Sequence, residues 1–254
     1  MTQYPQRMSG GVGPTCNDIS FHEHESSYPS LKNIQKPTIT TTTAPRKAGF
    51  PSIHHLNALA VIIVFSASGM VSPQDFAFVV FSIIYMYFIS KVAFPTLHPA
   101  EKEPTVFNPQ NKILPFYVLT GAIVGLLLPI AYIIEGIFLG DKEGIKAAAP
   151  HVFLLASQVF MEGIAFSGRF SIPIRVFVPV FYNSRRIFTI VDWLRNEISK
   201  VDEQLSKSTR RHYIGTGLAI VNMAFWSFNI FGFLLPIYLP KAFKIYYSGC
   251  KVKG

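Results

Sequence analysis

The chain has 254 residues, half of them hydrophobic and 15% charged, against about 25% charged in an average soluble domain. The net charge is +9, but no finger, RNP or basic-zipper pattern accompanies it, so nucleic acid is not expected as a partner. The apolar residues gather into runs of about 20, the length a helix needs to cross a bilayer, and this excludes an ordinary soluble domain.

Residues 1–52 form a polar stretch rich in Pro, Gly, Ser and Thr. Such composition buries too little apolar surface to offset the entropy of ordering, so a disordered tail is expected. Its start lacks the apolar core of a signal peptide. Asp18, Glu23 and Glu25 argue against plastid transit, which leaves an endomembrane or the plasma membrane. His22-Glu23-His24-Glu25 reads as a solvated charge cluster, because a metal site needs three or four held ligands. No metal or other cofactor is expected. Cys16 and Cys250 lie in opposite tails and allow one pair at most.

The first apolar run covers 53–70 and the second 76–94, with a Pro-broken link that predicts a tight hairpin. The third covers 113–138. A linker with Asp141, Lys142, Glu143 and Lys146 leads to the fourth, 151–170. The last covers 213–239, and a short basic tail, 240–254, follows. The expected fold is an all-α transmembrane bundle of about five spans, four within 53–170 and one at 213–239.

Residues 171–212 differ. The first half carries Pro173, Pro179 and Arg175, then Arg185 and Arg186. An arginine at the centre of a span costs about 2.5–3.5 kcal/mol, so the segment is expected to lie at the interface. In the second half, Ile187, Val191, Leu194, Ile198, Val201 and Leu205 recur at heptad spacing. That stripe predicts a cytoplasmic amphipathic helix, packed on the bundle or the headgroups, with self-association through 187–205 as the other reading. Arg185, Arg186, Arg210 and Arg211 would meet anionic lipid, each contributing about 1 kcal/mol. A cytoplasmic N-terminus puts this segment inside and leaves Lys142, Lys146, Lys241, Lys244, Lys251 and Lys253 opposite, as the positive-inside rule favours.

Polar groups inside apolar runs mark bundle interiors or wet cavities. His151, Gln158 and Glu162 share one helical stripe, and Glu135 closes the third run. Folding the two runs back with Glu135 level with His151 sets Glu162 opposite Val124 and Gly125. Gly121 and Gly125 form a small-xxx-small pair that permits close helix approach. Asn222 and Asn229 share a stripe of the last run and read as packing groups. Glu162 is read either as a neutral, hydrogen-bonded structural group or as part of a proton or solute path.

The stretch from His151 to Gly163, followed by Pro173-Ile174-Arg175-Val176-Phe177-Val178-Pro179-Val180-Phe181-Tyr182-Asn183-Ser184-Arg185-Arg186, resembles a plant family of multi-span membrane proteins of unknown function. The resemblance implies a plant source and no particular activity. No G-x-S-x-G, H-E-x-x-H or P-loop pattern is present, so an enzyme is not expected. The sequence points to a non-enzymatic membrane protein that organises partners or anionic lipid through its basic helix. The alternative is a small transporter or channel built around Glu162.

Overall fold

The computed structural model describes residues 58–62, 64–65, 68–96, 106–107, 113–166, 170–199 and 209–251. The tail 1–52, with its His22–Glu25 cluster, lies outside the described residues, as do Val201 and Leu205 of the heptad stripe. Among the described residues every regular element is helical. Five long helices form one bundle: α1 Pro73–Val92, α2 Ile113–Leu139, α3 Lys142–Ala165, α4 Ile172–Ser199 and α5 Thr209–Cys250. All but α4 are long and apolar enough to cross a membrane. The protein is thus membrane-embedded and multi-pass.

α1 begins where Ser72 caps it, accepting from the Asp75 N–H at 3.2 Å, with Pro73 in the first turn where no N–H is needed. Its polarity is inverted relative to a soluble helix. Asp75, Ser82, Met86 and Ser90 face the protein, while Phe76, Phe81, Ile84, Tyr87 and Phe88 face outward. Lipid solvates the outer face, so the helix's polar groups turn inward to find partners. Ser82 meets the Tyr182 hydroxyl at 2.7 Å.

The first apolar run does not lie beside α1. Val61, Phe65 and Met70 pack on a cluster around Tyr132 and Trp193. Phe78, Val79 and Ile89 of α1 pack instead on a cluster around Met161 and Tyr182. Trp193 and Tyr182 are about 16 Å apart along α4 at 1.5 Å per residue. The described residues of the two runs therefore meet the bundle at different heights.

α2 reverses into α3 within two residues. Gly140 takes a left-handed φ of 70°, a conformation that favours glycine. Asp141 then caps α3, accepting from the Gly144 N–H at 2.9 Å. The residues read as a linker are thus the first turns of α3, and the α2–α3 register moves accordingly. His151 sits opposite Gly125, not level with Glu135.

The segment expected at the interface packs inside the bundle. α4 packs on α1, α3 and α5, from Ile172 against Ala242 at one end to Trp193 against Tyr132 and Ala219 towards the other. Its buried stripe is Tyr182, Arg186, Ile190, Trp193 and Glu197. The heptad stripe is rotated away from the core: Ile187, Val191 and Leu194 are half-buried and Ile198 is exposed. Protein groups meet its arginines: Asp75 meets Arg185, and Gln158 and Trp226 meet Arg186.

Two stretches leave α-helical spacing. α2 widens to a π-helix over Ile123–Leu127 and α5 over Phe228–Tyr238. Each ends on a Leu-Pro step, Leu128-Pro129 and Leu239-Pro240, with the leucine N–H bonded five residues back. Returning from that spacing to α spacing skips one carbonyl, and a proline without an N–H leaves another.

A candidate intramembrane binding site

In α2 those two carbonyls belong to Val124 and Gly125, and side chains cover both. Asn222 of α5 donates to the Val124 carbonyl at 3.0 Å, and His151 of α3 donates from Nε2 to the Gly125 carbonyl at 2.8 Å. Asn222 also accepts from the Trp226 indole N–H at 3.1 Å. Backbone freed at membrane depth is tolerated where neighbouring helices satisfy it. The kink in α2 is therefore held by α3 and α5 together.

Beside Trp226 lies a cavity of about 320 Å³, mainly between α2, α3 and α5 and with Pro179 of α4 also on its wall. Its wall is mainly aromatic and aliphatic, including Phe166, Phe225, Trp226 and Phe233. Its polar residues are Glu162 and Gln158 of α3, Asn229 and Tyr238 of α5 and Tyr117 of α2. Asn229 is held by the Tyr117 hydroxyl, which donates to its Oδ1 at 2.9 Å.

Glu162 belongs to a chain of polar groups running inward. Gln158 Nε2 donates to Glu162 Oε1 at 2.7 Å. Arg186 of α4, fully buried, donates from Nη2 to Gln158 Oε1. The guanidinium stacks over the Trp226 ring, 4.1 Å from its centroid, a cation–π contact that is strongest away from water. Asn183, one turn before Arg186, donates to the Trp226 carbonyl at 3.1 Å. Gln158 and Trp226 both line the cavity and stand between it and Arg186. The cavity therefore meets the carboxylate end of the chain.

A family described as a domain of unknown function, DUF7733, matches residues 51–247. The chain belongs to this family. No curated protein and no solved structure matches the chain. DUF7733 membership therefore brings no activity with it, and the site rests on its own geometry.

The structure divides the four polar residues expected to act together. Gln158 and Glu162 share the cavity wall, His151 holds the α2 kink, and Glu135 lies at the far end of the bundle. There Arg211 reaches Glu135 Oε2 at 3.1 Å and Asp141 Oδ2 at 2.6 Å and stacks over Tyr132 at 4.1 Å. The expected headgroup contacts divide too. Arg186 and Arg211 are buried, Arg185 pairs with Asp75 at 2.8 Å, and only Arg210 is fully on the outer surface. That expectation is corrected for Arg186 and Arg211, because both side chains are buried inside the bundle.

Gly121 and Gly125 serve close packing as expected, but mainly against α5. A Cβ on Gly125 would lie 2.5 Å from the Trp226 ring, and one on Gly121 would lie 3.3 Å from Phe225. Asn222 and Asn229 also join α5 to α2. The sequence reading missed Asp75, Asn183 and Glu197 as buried polar groups. The signal for Glu197 was the stripe Tyr182, Arg186, Trp193, Glu197, which competes with the more apolar heptad stripe beside it. Among the described residues, no group of three or more His, Cys, Asp and Glu side chains is placed to hold a metal ion.

Proposed function

We propose that this protein binds a small solute in the cavity between α2, α3 and α5, as a carrier or sensor within the membrane and without bond-making chemistry. The observation that carries this reading is Glu162, an intramembrane carboxylate on the wall of a cavity of about 320 Å³. Drug-sized ligand sites are clefts of about 300–1,000 Å³, mostly apolar, with a few placed polar groups. An ionisable residue inside a membrane marks a functional site by default. Organisation of anionic lipid by the basic segment has less support, because α4 is enclosed and two of the four arginines assigned to lipid are buried. The plant source implied by the resemblance belongs to this proposal as well.

α4 is taken as a crossing that hydropathy overlooks, with its arginines offset by Asp75, Gln158 and Trp226. With α1 to α5 as the five crossings and residues 53–70 not among them, the termini lie on opposite sides of the membrane. Among the described residues, Lys142, Lys146, Arg195 and Arg210 mark one end, and Lys91, Arg175, Lys241 and Lys244 the other. Charge bias alone therefore gives the orientation little support.

The test uses the chain's two tryptophans, Trp193 and Trp226. Trp193→Phe leaves Trp226, in the cavity wall, as the reporter. In nanodiscs, energy transfer from Trp226 to the neutral dye N-phenyl-1-naphthylamine should saturate. Filling the cavity with Val159→Phe should abolish the saturable part. Transfer that rises linearly and equally in both proteins would mean partition into lipid, and would refute the reading.

A further inference from the structure

Resting on that reading, we propose that the solute is an amphipathic monocation, an organic ammonium whose charged end meets Glu162 and whose apolar body fills the aromatic wall.

The argument starts from the two oxygens of Glu162. Oε1 accepts from Gln158 at 2.7 Å. Among the described residues no donor reaches Oε2, and the side chain is half-buried on the cavity wall rather than enclosed by protein. A carboxylate withdrawn from water without a partner is costly, and in hydrocarbon it requires one. Arg186 does not fill that role directly. Its Nη2 is committed to Gln158 Oε1 and its face to Trp226. Gln158 is thereby oriented, with its oxygen towards the arginine and its amide N–H towards the carboxylate. That orientation leaves Oε2 for a donor brought by the ligand.

The rest of the wall sets the ligand's other properties. Phe166, Phe225, Trp226 and Phe233 offer ring faces and edges. Aromatic faces attract cations, most strongly where water is excluded, and they repel anions. One accessible carboxylate balances one positive charge. A second charge would rest on apolar wall, so a dication is disfavoured. An inorganic cation would leave most of the cavity unfilled and would demand several oxygen ligands where the wall presents few. An ammonium on a hydrocarbon or aryl body satisfies both parts of the site.

The experiment compares two ligands of nearly the same shape, 3-phenylpropylammonium and 3-phenylpropanol. Each is titrated against Trp193→Phe protein in nanodiscs of uncharged lipid, with Trp226 fluorescence as the readout. The expected result is saturation by both, with the ammonium about ten-fold tighter or more. Glu162→Gln should bring the ratio close to one while the alcohol still binds, a pattern that general unfolding does not produce. Should that variant fail to fold, Glu162→Asp, which keeps the charge on a shorter arm, should reduce the ratio. Equal saturable binding of both ligands to the parent would overturn the monocation inference and leave the cavity reading standing. Saturation by neither would overturn both.

Discussion

A single methyl group at residue 125 tests how the core is built. In Gly125→Ala the new Cβ would lie 2.5 Å from Trp226 Cζ2 and 3.1 Å from Leu155 Cδ2. The crowded neighbour is a tryptophan ring, held on one edge by the Asn222 oxygen at 3.1 Å and on its face by Arg186 at 4.1 Å. Those two contacts resist its displacement. Overpacking costs about 1–3 kcal/mol, and loss of the indole hydrogen bond adds about 1 kcal/mol. Alanine's better helix propensity returns about 1 kcal/mol, so the net loss should be about 1–3 kcal/mol. Gly217→Ala is the control: nothing lies within 4 Å of its Cβ, and the same propensity should leave it neutral or up to about 1 kcal/mol more stable. Reversible unfolding by SDS in mixed micelles, followed by far-ultraviolet circular dichroism, measures both. Equal stability of the two variants would refute the packing of α2 on Trp226.

The same unfolding assay checks the remaining stability predictions. Asn222→Leu removes the donor to the Val124 carbonyl and the acceptor of the Trp226 indole, and should cost about 1–2 kcal/mol; no loss would mean that the α2 kink needs no help from α5. Asp75→Asn should cost about 1–3 kcal/mol, discounted because Arg185 keeps 28% exposure. Glu135→Gln should cost less than about 1 kcal/mol, since Glu135 is itself 38% exposed and Arg211 keeps Asp141; the reverse order would contradict the packing of α1 on α4. Reporters fused at residues 1 and 254 should read from opposite faces of the membrane, and detection on the same face would refute the arrangement of five crossings, α1 to α5.

Much of the architecture was legible in the residues. The apolar stretches at 76–94, 113–138 and 213–239 became α1, α2 and most of α5, because a helix of that length and composition has few alternatives in lipid. Gln158 and Glu162 could be paired from their spacing alone. Their cavity could not, since its walls come from α2 and α5 and from a register set by the Gly140–Asp141 turn. Reading that turn as a longer linker moved His151 and Glu135 to the wrong neighbours. The inner face of α4 was missed for a related reason. A stripe with Arg186 and Glu197 looks wrong for a core until Gln158, Trp226 and Tyr132 stand opposite it.

The sequence by itself determined that this chain folds as helices in a membrane, because hydrophobic length and backbone hydrogen-bonding leave it little choice. Only the tertiary structure decided which helix is central and which charges are buried. The cost of an arginine or a carboxylate in the bilayer depends on the partner placed against it, and those partners come from distant parts of the chain.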